Sequence, residues 1–194
     1  MNRAVLICCS AFQGEMESLR KNNWPDHELK YLASALHLHP ERLAATLQSA
    51  LEAELEQGNR IVLIYGDCCV RMTDFEAMPG VVRTRGKNCC ELLLGAEEYR
   101  RLSRDGAFYV IPKWVCRWKR FFNGLGLNRD NAASLMQDLH RTLVYLDTGL
   151  IPVPENVLQE CADFCGLPYE VRPVSLDALH GAIEDALQRS TLQQ

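Results

Sequence analysis

Short apolar runs alternate with helical patterns along almost the whole chain. The run "AVLICC" (4–9) is apolar at every position, which is typical of a strand that is covered on both faces. The run 28–36 fits either a strand or a helix, and we interpret it as a strand. The remaining predicted strands are 60–66, 80–84, 107–112, 143–147 and 169–174.

The clearest helical pattern is "HPERLAATLQSALEAELEQGN", with Pro40 suited to its first turn and Gly58 just after its end. Further helices are predicted at 11–21, 89–105, 114–126, 128–142, 154–165 and 176–189, and Gly95 interrupts the second of these. Strands that alternate with helices of this length form βαβ units and a mostly parallel sheet. The pattern therefore predicts a single α/β domain over residues 1–194, Rossmann-like and doubly wound, with helices on both faces of the sheet.

Three pairs of adjacent cysteines fall where predicted strands end. The pair 8–9 ends the first strand, the pair 68–69 follows the strand 60–66, and the pair 89–90 opens the helix after "GVVRT". Ligands of open α/β sheets gather outside the carboxyl ends of the strands. Neighbouring side chains on a strand point to opposite faces, so each pair is expected to give one sulfur to a shared site and to pack the other.

Simple packing is the alternative interpretation of these pairs, because free cysteine is often buried and behaves as a small hydrophobic residue. The chain has no CxxC motif to strengthen a metal site. Arg83, Arg85 and Lys87 lie near the third pair in sequence. Cations and helix N-termini lower a cysteine pKa, which would favour the thiolate that binds metal.

Composition narrows the classes of protein that remain. The chain has 194 residues, a net charge of −4 and a pI near 5.8, so it is long enough for one substantial core and is unlike a nucleic-acid-binding surface. No apolar run has the length of a membrane span or of a signal segment, which predicts a cytoplasmic protein. Nine cysteines in a reducing compartment argue against a disulfide framework.

Several motifs resemble the bacterial and archaeal family of domain of unknown function 1638, over the stretch from Val5 to Gly149. The motifs are "CSAFQGE" (9–15), "LHLHPE" (36–41), "YGDCC" (65–69), "NCCELLLG" (88–95) and "YLDTG" (145–149). The resemblance selects Cys9, Cys68 and Cys89 as the family cysteines, with His37 and Glu15 beside them. Ser10 and Cys69 stand where the family has glycine, which affects the tightness of those two turns. The family's association with corrinoid and one-carbon methyl-transfer genes implies a corrinoid or methyltransferase partner.

Three thiolates from separate loops predict a metal centre at Cys9, Cys68 and Cys89. A [4Fe–4S] cluster takes four cysteines for full ligation, so three would leave one iron open as a Lewis acid for lyase, dehydratase, one-carbon or sulfur chemistry. Zn²⁺ is the alternative, with His37 completing a Cys₃His set and the metal activating a thiol for methyl transfer. A third hypothesis is a non-catalytic carrier of metal or clusters.

Six further residues are candidates for roles around this centre. Glu15 and His37 are the candidate catalytic residues, although a carboxylate in a first helical turn or a histidine that contacts the following helix explains them equally well. Side chains that would bind a small anionic ligand, or a cofactor, are Arg85, Lys87, Trp114 and Asp147. For Trp114 the alternative is packing in an amphipathic helix, and for Asp147 it is a turn.

Overall fold

The structure, a computed structural model, describes residues 3–192 and has the predicted α/β class. Its contacts divide the chain into two compact units, which are residues 1–93 with 176–194, here unit 1, and residues 94–175, here unit 2. Each described unit contains one sheet, and every strand pair in both sheets is parallel. No helix within residues 3–192 is both long and apolar enough to cross a membrane.

Unit 1 contains a four-stranded sheet in the order β2-β1-β3-β4. The strands are β1 (Ala4–Cys9), β2 (Glu28–Leu32), β3 (Arg60–Ile64) and β4 (Val81–Arg83). The helices are α1 (Gln13–Asn23), α2 (Pro40–Glu56), α3 (Met72–Glu76), α4 (Cys89–Leu94) and α10 (Asp177–Leu192), with short 3-10 helices at Ser10–Phe12 and Ser34–Leu38. All six residues of β1 are buried, so both faces of this strand are covered, as its unbroken apolar run indicates.

The strand order of unit 1 reverses between β1 and β3. The chain passes from β1 to β2 on one side and then crosses to β3 and β4 on the other side. In doubly wound sheets this reversal opens a crevice at the carboxyl ends of the two central strands, and ligands bind there. The residues that follow β1 and β3 therefore occupy the position where a site is expected.

Unit 2 contains a three-stranded sheet in the order β5-β6-β7. The strands are β5 (Ala107–Val110), β6 (Thr142–Asp147) and β7 (Tyr169–Pro173), and the helices are α5 (Ala96–Arg104), α6 (Pro112–Val115), α7 (Trp118–Gly124), α8 (Ala132–Leu139) and α9 (Glu155–Cys165). Its core is aromatic and aliphatic and includes Trp118, Phe122, Tyr145 and Leu158.

The structure differs from the predicted elements at several points, one of which is the predicted helix 114–126, which is two helices, α6 and α7. The strands form two sheets instead of one, because β5 pairs with β6. The predicted helix 89–105 is two helices, because Gly95 adopts a φ of 78° that only glycine adopts readily. The predicted strand 28–36 ends at Leu32 and is followed by a 3-10 helix, and α3 was not predicted. The single domain over residues 1–194 stays a prediction, because a division by contacts does not say whether the units fold independently.

Candidate functional site

A small cavity lies at the carboxyl ends of the strands of unit 1. Each strand contributes to it, since Cys9 ends β1, His37 follows β2, Tyr65 and Cys68 follow β3, and Cys89 follows β4. The other lining residues are Phe12, Ile64, Gly66 and Leu92. The cavity therefore occupies the crevice that the strand order creates.

One cysteine from each pair lines this cavity. Cys9, Cys68 and Cys89 are lining residues, whereas the second members of the pairs are buried outside the lining. These second members are Cys8, Cys69 and Cys90. For the first pair the reason is the alternation of side chains along β1. The structure thus brings together the three cysteines that the family resemblance selected, and metal binding by them stays a prediction.

Local hydrogen bonds fix the two arms that follow β1 and β2. The Cys9 Sγ atom accepts a hydrogen bond from the Ala11 amide at 3.4 Å, and Cys9 is the N-cap of the short helix that begins at Ser10. The Ser10 Oγ atom accepts the Ser34 amide hydrogen at 2.9 Å. Because Ser34 begins the 3-10 helix that carries His37, this bond holds the His37 segment against the residue that follows Cys9.

Gly66 allows the two loops after β3 and β4 to meet through their backbones. A Cβ atom at Gly66 would lie only 2.5 Å from the Asn88 Cα and N atoms, which is closer than real Cβ atoms approach. Beside this contact, the Asp67 amide donates a hydrogen bond to the Lys87 carbonyl at 2.7 Å. Glycine is therefore required here for close approach, and the approach places Cys68 and Cys89 at one cavity.

A polar cap holds the start of α4, where Cys89 lies. The Asn88 Oδ1 atom accepts the Glu91 amide hydrogen at 3.0 Å, and the Glu91 carboxylate accepts the Lys87 amide hydrogen at 3.1 Å. This reciprocal arrangement is close to a capping box. Arg83 of β4 also donates a hydrogen bond to Asp67 at 2.8 Å, so the loop before Cys68 is tied to the strand before Cys89.

Burial controls the protonation of the cavity side chains. It raises the pKa of Cys68 to about 12, with further increases from the neighbouring Cys89 and Cys9. The pKa of Cys89 is also raised, by a hydrogen bond with Cys90 and by burial. The expectation that nearby cations lower these pKa values is therefore wrong for the metal-free protein. Burial lowers the pKa of His37, which favours the neutral imidazole, the form that binds metal.

The size and spacing of the site limit what can occupy it. The cavity volume is about 10 Å³, which is about the space for one water molecule. Within residues 3–192, no three His, Cys, Asp or Glu side chains are arranged so that they could hold a metal ion. The cysteines thus share a cavity without converging on one point.

Tyr65 is the residue of this cavity that sequence reasoning missed. Its side chain is 3% exposed, and its hydroxyl has no hydrogen-bond partner among the described residues. Buried polar atoms are nearly always hydrogen-bonded, and an exception calls for an explanation. The sequence could have indicated Tyr65 by its position directly after a buried strand, at the carboxyl edge where the cysteines lie.

The other candidates in unit 1 lie outside the lining of the cavity. Glu15 is buried in the first turn of α1. Arg85 is exposed and forms an ion pair with Asp185 at 4.0 Å, and the Lys87 side chain is exposed as well. None of the three is a lining residue, and their catalytic and ligand-binding roles stay predictions.

Trp114 and Asp147 belong to unit 2, which corrects their expected place on the same sheet as the cysteines. The Trp114 ring stacks on Phe121, with ring centres 4.8 Å apart. The Asp147 carboxylate accepts the Gly149 amide hydrogen at 2.9 Å, as in an Asx-turn. These contacts fit the alternative interpretations, packing and a turn.

The fold and the cavity together define an α/β protein with three cysteines around a small cavity at the switch point of a doubly wound sheet. The model of the family described as "Protein of unknown function (DUF1638)" matches residues 31–183. The chain therefore belongs to the DUF1638 family. The match includes His37, Cys68 and Cys89, whereas Cys9 and Glu15 precede it. No curated protein and no solved structure matches the chain.

Proposed function

We propose that Cys9, Cys68 and Cys89 ligate a [4Fe–4S] cluster at the carboxyl edge of unit 1, and that the protein acts on a small anionic molecule there. The carrying observation is that each adjacent pair gives one thiol to the same cavity. Packing alone does not require this selection, because either member of a pair can fill space as a small hydrophobic residue.

A cluster requires less convergence of the three thiols than a single ion does. Ligands of one zinc ion must all reach a point about 2.3 Å from each sulfur, and no such group occurs within residues 3–192. The cysteines of a cluster bind separate irons, so their sulfur atoms stand further apart around a common space. The cavity is small for a cluster, and binding would require the side chains that line it to move outward while the backbone contact at Gly66 is kept.

A cluster held by three cysteines supplies one iron that acts as a Lewis acid toward an oxygen or sulfur atom of the substrate. The chain's own groups would support that chemistry. The Ala11 amide donates a hydrogen bond to Cys9 Sγ and would orient this ligand. Phe12, Ile64 and Leu92 exclude water, and the neutral imidazole of His37 can take up a proton from a bound group.

Zinc is the second candidate, and the position of His37 favours it. His37 lines the same cavity as the three cysteines, and its burial keeps the imidazole neutral, which is the form that binds metal. A Cys₃His set matches the donors of tetrahedral zinc sites, and one ion fits a cavity of about 10 Å³ more readily than a cluster does. This candidate requires the four side chains to close onto one point.

Metal analysis of the anaerobically purified chain tests both candidates. After reconstitution with iron and sulfide, a cluster protein contains about four irons and about four sulfides per chain and absorbs broadly in the visible range. A colourless protein that contains one zinc ion would contradict the cluster and support the zinc site. A chain that binds neither metal would contradict the proposal altogether.

The cysteine pairs supply a matched control. The Cys9→Ala, Cys68→Ala and Cys89→Ala variant is expected to lose the metal. The control changes the same number of thiols at the other members of each pair, Cys8→Ala, Cys69→Ala and Cys90→Ala, and is expected to keep it. Equal metal content in the two variants would count against a site made by one thiol of each pair. Rapid transfer of the metal to an apo-acceptor would favour the carrier hypothesis, and the corrinoid or methyltransferase partner stays a prediction.

A further inference from the structure

We infer that a cleft in unit 2, between α7 and α9, binds a small zwitterionic molecule that carries an apolar ring, such as an aromatic amino acid. The cleft has a volume of about 880 Å³, which lies within the range of about 300–1,000 Å³ that small-molecule sites occupy. All of its lining residues belong to unit 2. The inference therefore does not depend on the proposed metal centre.

One wall of the cleft is aromatic and presents an unused hydrogen-bond donor. Trp118 of α7 packs on Phe122 and Phe164 and is only 7% exposed. Its indole nitrogen donates no hydrogen bond to any atom of residues 3–192 and is not fully enclosed. The small exposed part of Trp118 therefore includes an N–H group at the wall of the cleft. Because the surrounding rings hold the indole in place, this donor is preorganised for an oxygen atom of a ligand.

The charges around the cleft are balanced, and one of each sign is left over. Lys119 of α7 and Glu160 of α9 form an ion pair at 2.8 Å. The other two charged lining residues are Arg129 and Asp163, and neither takes part in an ion pair with another described residue. The Asp163 carboxylate accepts only the neutral amide of Gln159, at 2.7 Å. The cleft thus offers one cation and one carboxylate to a ligand.

Hydrogen bonds on both sides of Arg129 hold the loop that carries it. The Asn131 Oδ1 atom accepts the Asn128 amide hydrogen at 2.8 Å, and the Asn128 Oδ1 atom accepts the Asp130 amide hydrogen at 2.8 Å. The Asn131 side chain also donates to the Gly126 carbonyl at 3.0 Å. The backbone at Arg129 is therefore fixed before a ligand arrives, which lowers the entropic cost of binding.

These features together define the class of ligand. A carboxylate complements Arg129 and the Trp118 N–H group, and an ammonium group complements Asp163. A molecule with a single charge would leave one of the two opposite charges of the cleft unmatched. An apolar ring would cover the accessible edges of Trp118 and Phe164, because aromatic side chains pack well against rings. A zwitterion with an apolar ring is the ligand that matches all of these groups.

L-Phenylalanine is the probe for this inference, and the indole N–H signals in the nitrogen–proton NMR spectrum report its binding. The chain has three tryptophans, and the Trp118→Phe variant identifies the signal of Trp118. Titration of the purified full chain with L-phenylalanine is expected to shift this signal until it saturates. The signal of Trp24 is the internal control and should stay in place, because Trp24 belongs to unit 1 and its indole donates to Glu184.

Two analogues of the probe separate the two charges. 3-Phenylpropionate lacks the ammonium group and phenethylamine lacks the carboxylate, so each should bind about two- to fivefold more weakly than L-phenylalanine. Arg129→Gln should weaken the binding of L-phenylalanine and 3-phenylpropionate and leave phenethylamine unchanged. Asp163→Asn should weaken the binding of L-phenylalanine and phenethylamine and leave 3-phenylpropionate unchanged. Both residues are exposed, so the melting temperatures of these variants should equal that of the wild type.

Matched control variants make the same changes elsewhere in unit 2. Arg100→Gln and Asp138→Asn alter exposed residues outside the lining of the cleft, and both should bind all three compounds as the wild type does. An equal loss of affinity in these controls overturns the inference, because the effect would then come from net charge.

Two further results would also overturn the inference. One is a Trp118 signal that does not move in a saturated solution of L-phenylalanine. The other is equal binding of L-phenylalanine and one of its analogues, which would show that the cleft recognises a single charge. Each of these measurements is made on the metal-free chain, so their failure leaves the proposed metal centre untouched.

Discussion

Cys161 and Cys165 of unit 2 lie one turn apart on α9, whereas the cavity thiols of unit 1 come from three separate loops. Cys161 and Cys165 are fully buried and pack in a core that includes Leu158 and Tyr145. A hydrogen bond between the two thiols, together with burial, raises the pKa of Cys161. Cys161 and Cys165 are therefore each other's hydrogen-bond partners within the core of unit 2.

Burial alone therefore does not distinguish a thiol packed in a core from a thiol that lines a cavity. A single helix face presents Cys161 and Cys165 together at no further cost in chain entropy. Bringing Cys9, Cys68 and Cys89 to one cavity requires several loops to be ordered, which costs about 1–2 kcal/mol of backbone entropy per residue. The cap at Asn88 and the close approach at Gly66 offset this cost, so the gathering of remote thiols is the informative feature.

The largest predicted effect follows from Gly66→Ala. The new Cβ atom would press on the Asn88 backbone at 2.5 Å, so the loops that carry Cys68 and Cys89 must separate. We expect the variant to lose its metal as completely as a cysteine variant does. Its free energy of unfolding should fall by about 1–3 kcal/mol, as measured by denaturant titration of the metal-free protein.

Gly181→Ala is the matched control for this change. Gly181 lies inside α10, and no atom lies within 4 Å of the position of a new Cβ. Alanine is favoured over glycine within a helix by about 0.5–1 kcal/mol, so this variant should be slightly more stable and should keep its metal. Metal retention by Gly66→Ala would show that close approach of the two loops is unnecessary for the site.

A second prediction compares the removal of a core thiol with the removal of a cavity thiol. Cys161→Ala removes a sulfur atom from a close-packed core and is expected to lower the free energy of unfolding by about 1–2 kcal/mol, with metal content unchanged. Cys68→Ala removes a sulfur atom that faces a cavity and makes fewer contacts, so it should destabilise the metal-free chain less and abolish metal binding. Denaturant titration and metal analysis of the same preparations measure both quantities.

The reverse result would remove the distinction between the two regions. If Cys68→Ala destabilised the protein as much as Cys161→Ala and left the metal content unchanged, Cys68 would be a packing residue like Cys161.

Much of unit 1 could be predicted from the sequence because its signals are local. The apolar run 4–9 specifies a strand covered on both faces, and Pro40 and Gly58 bracket the helix between them. The rule that parallel strands direct their carboxyl ends to one edge then predicted one thiol of each pair at a common edge, and the family resemblance selected Cys9, Cys68 and Cys89 among the pairs. Each of these steps needs only a pattern of a few neighbouring residues.

The division into two sheets could not be predicted in this way. Strand pairing is a long-range choice, and the sequence of β5 (Ala107–Val110) does not state that its neighbour is β6. Trp114 and Asp147 belong to unit 2 for this reason, and their expected ligand-binding roles stay predictions. Arg85 and Lys87 show a related limit, because closeness in sequence to Cys89 does not fix where a loop side chain points.

The hydroxyl of Tyr65 illustrates why part of the site is invisible to sequence reasoning. Whether a buried polar atom is paired depends on every group around it, and those groups come from several strands. The need for glycine at position 66 is also hidden from the sequence. It arises because the Asn88 backbone approaches Gly66 closely, whereas a turn pattern indicates only glycines with a positive φ.

The smallest predicted effect concerns His37 and compares it with His140 of unit 2. Burial lowers the pKa of both imidazoles, so folding favours their neutral forms. The resulting stability is present above the unfolded pKa near 6.5 and declines as the pH falls through the lower folded pKa, because the unfolded chain takes up the proton first. In the metal-free protein, His37→Gln and His140→Gln should each reduce the loss of unfolding free energy between pH 7.5 and pH 5, as measured by denaturant titration. Only His37→Gln should also change the metal content of the loaded protein, and an equal change in His140→Gln would contradict a role specific to the cavity.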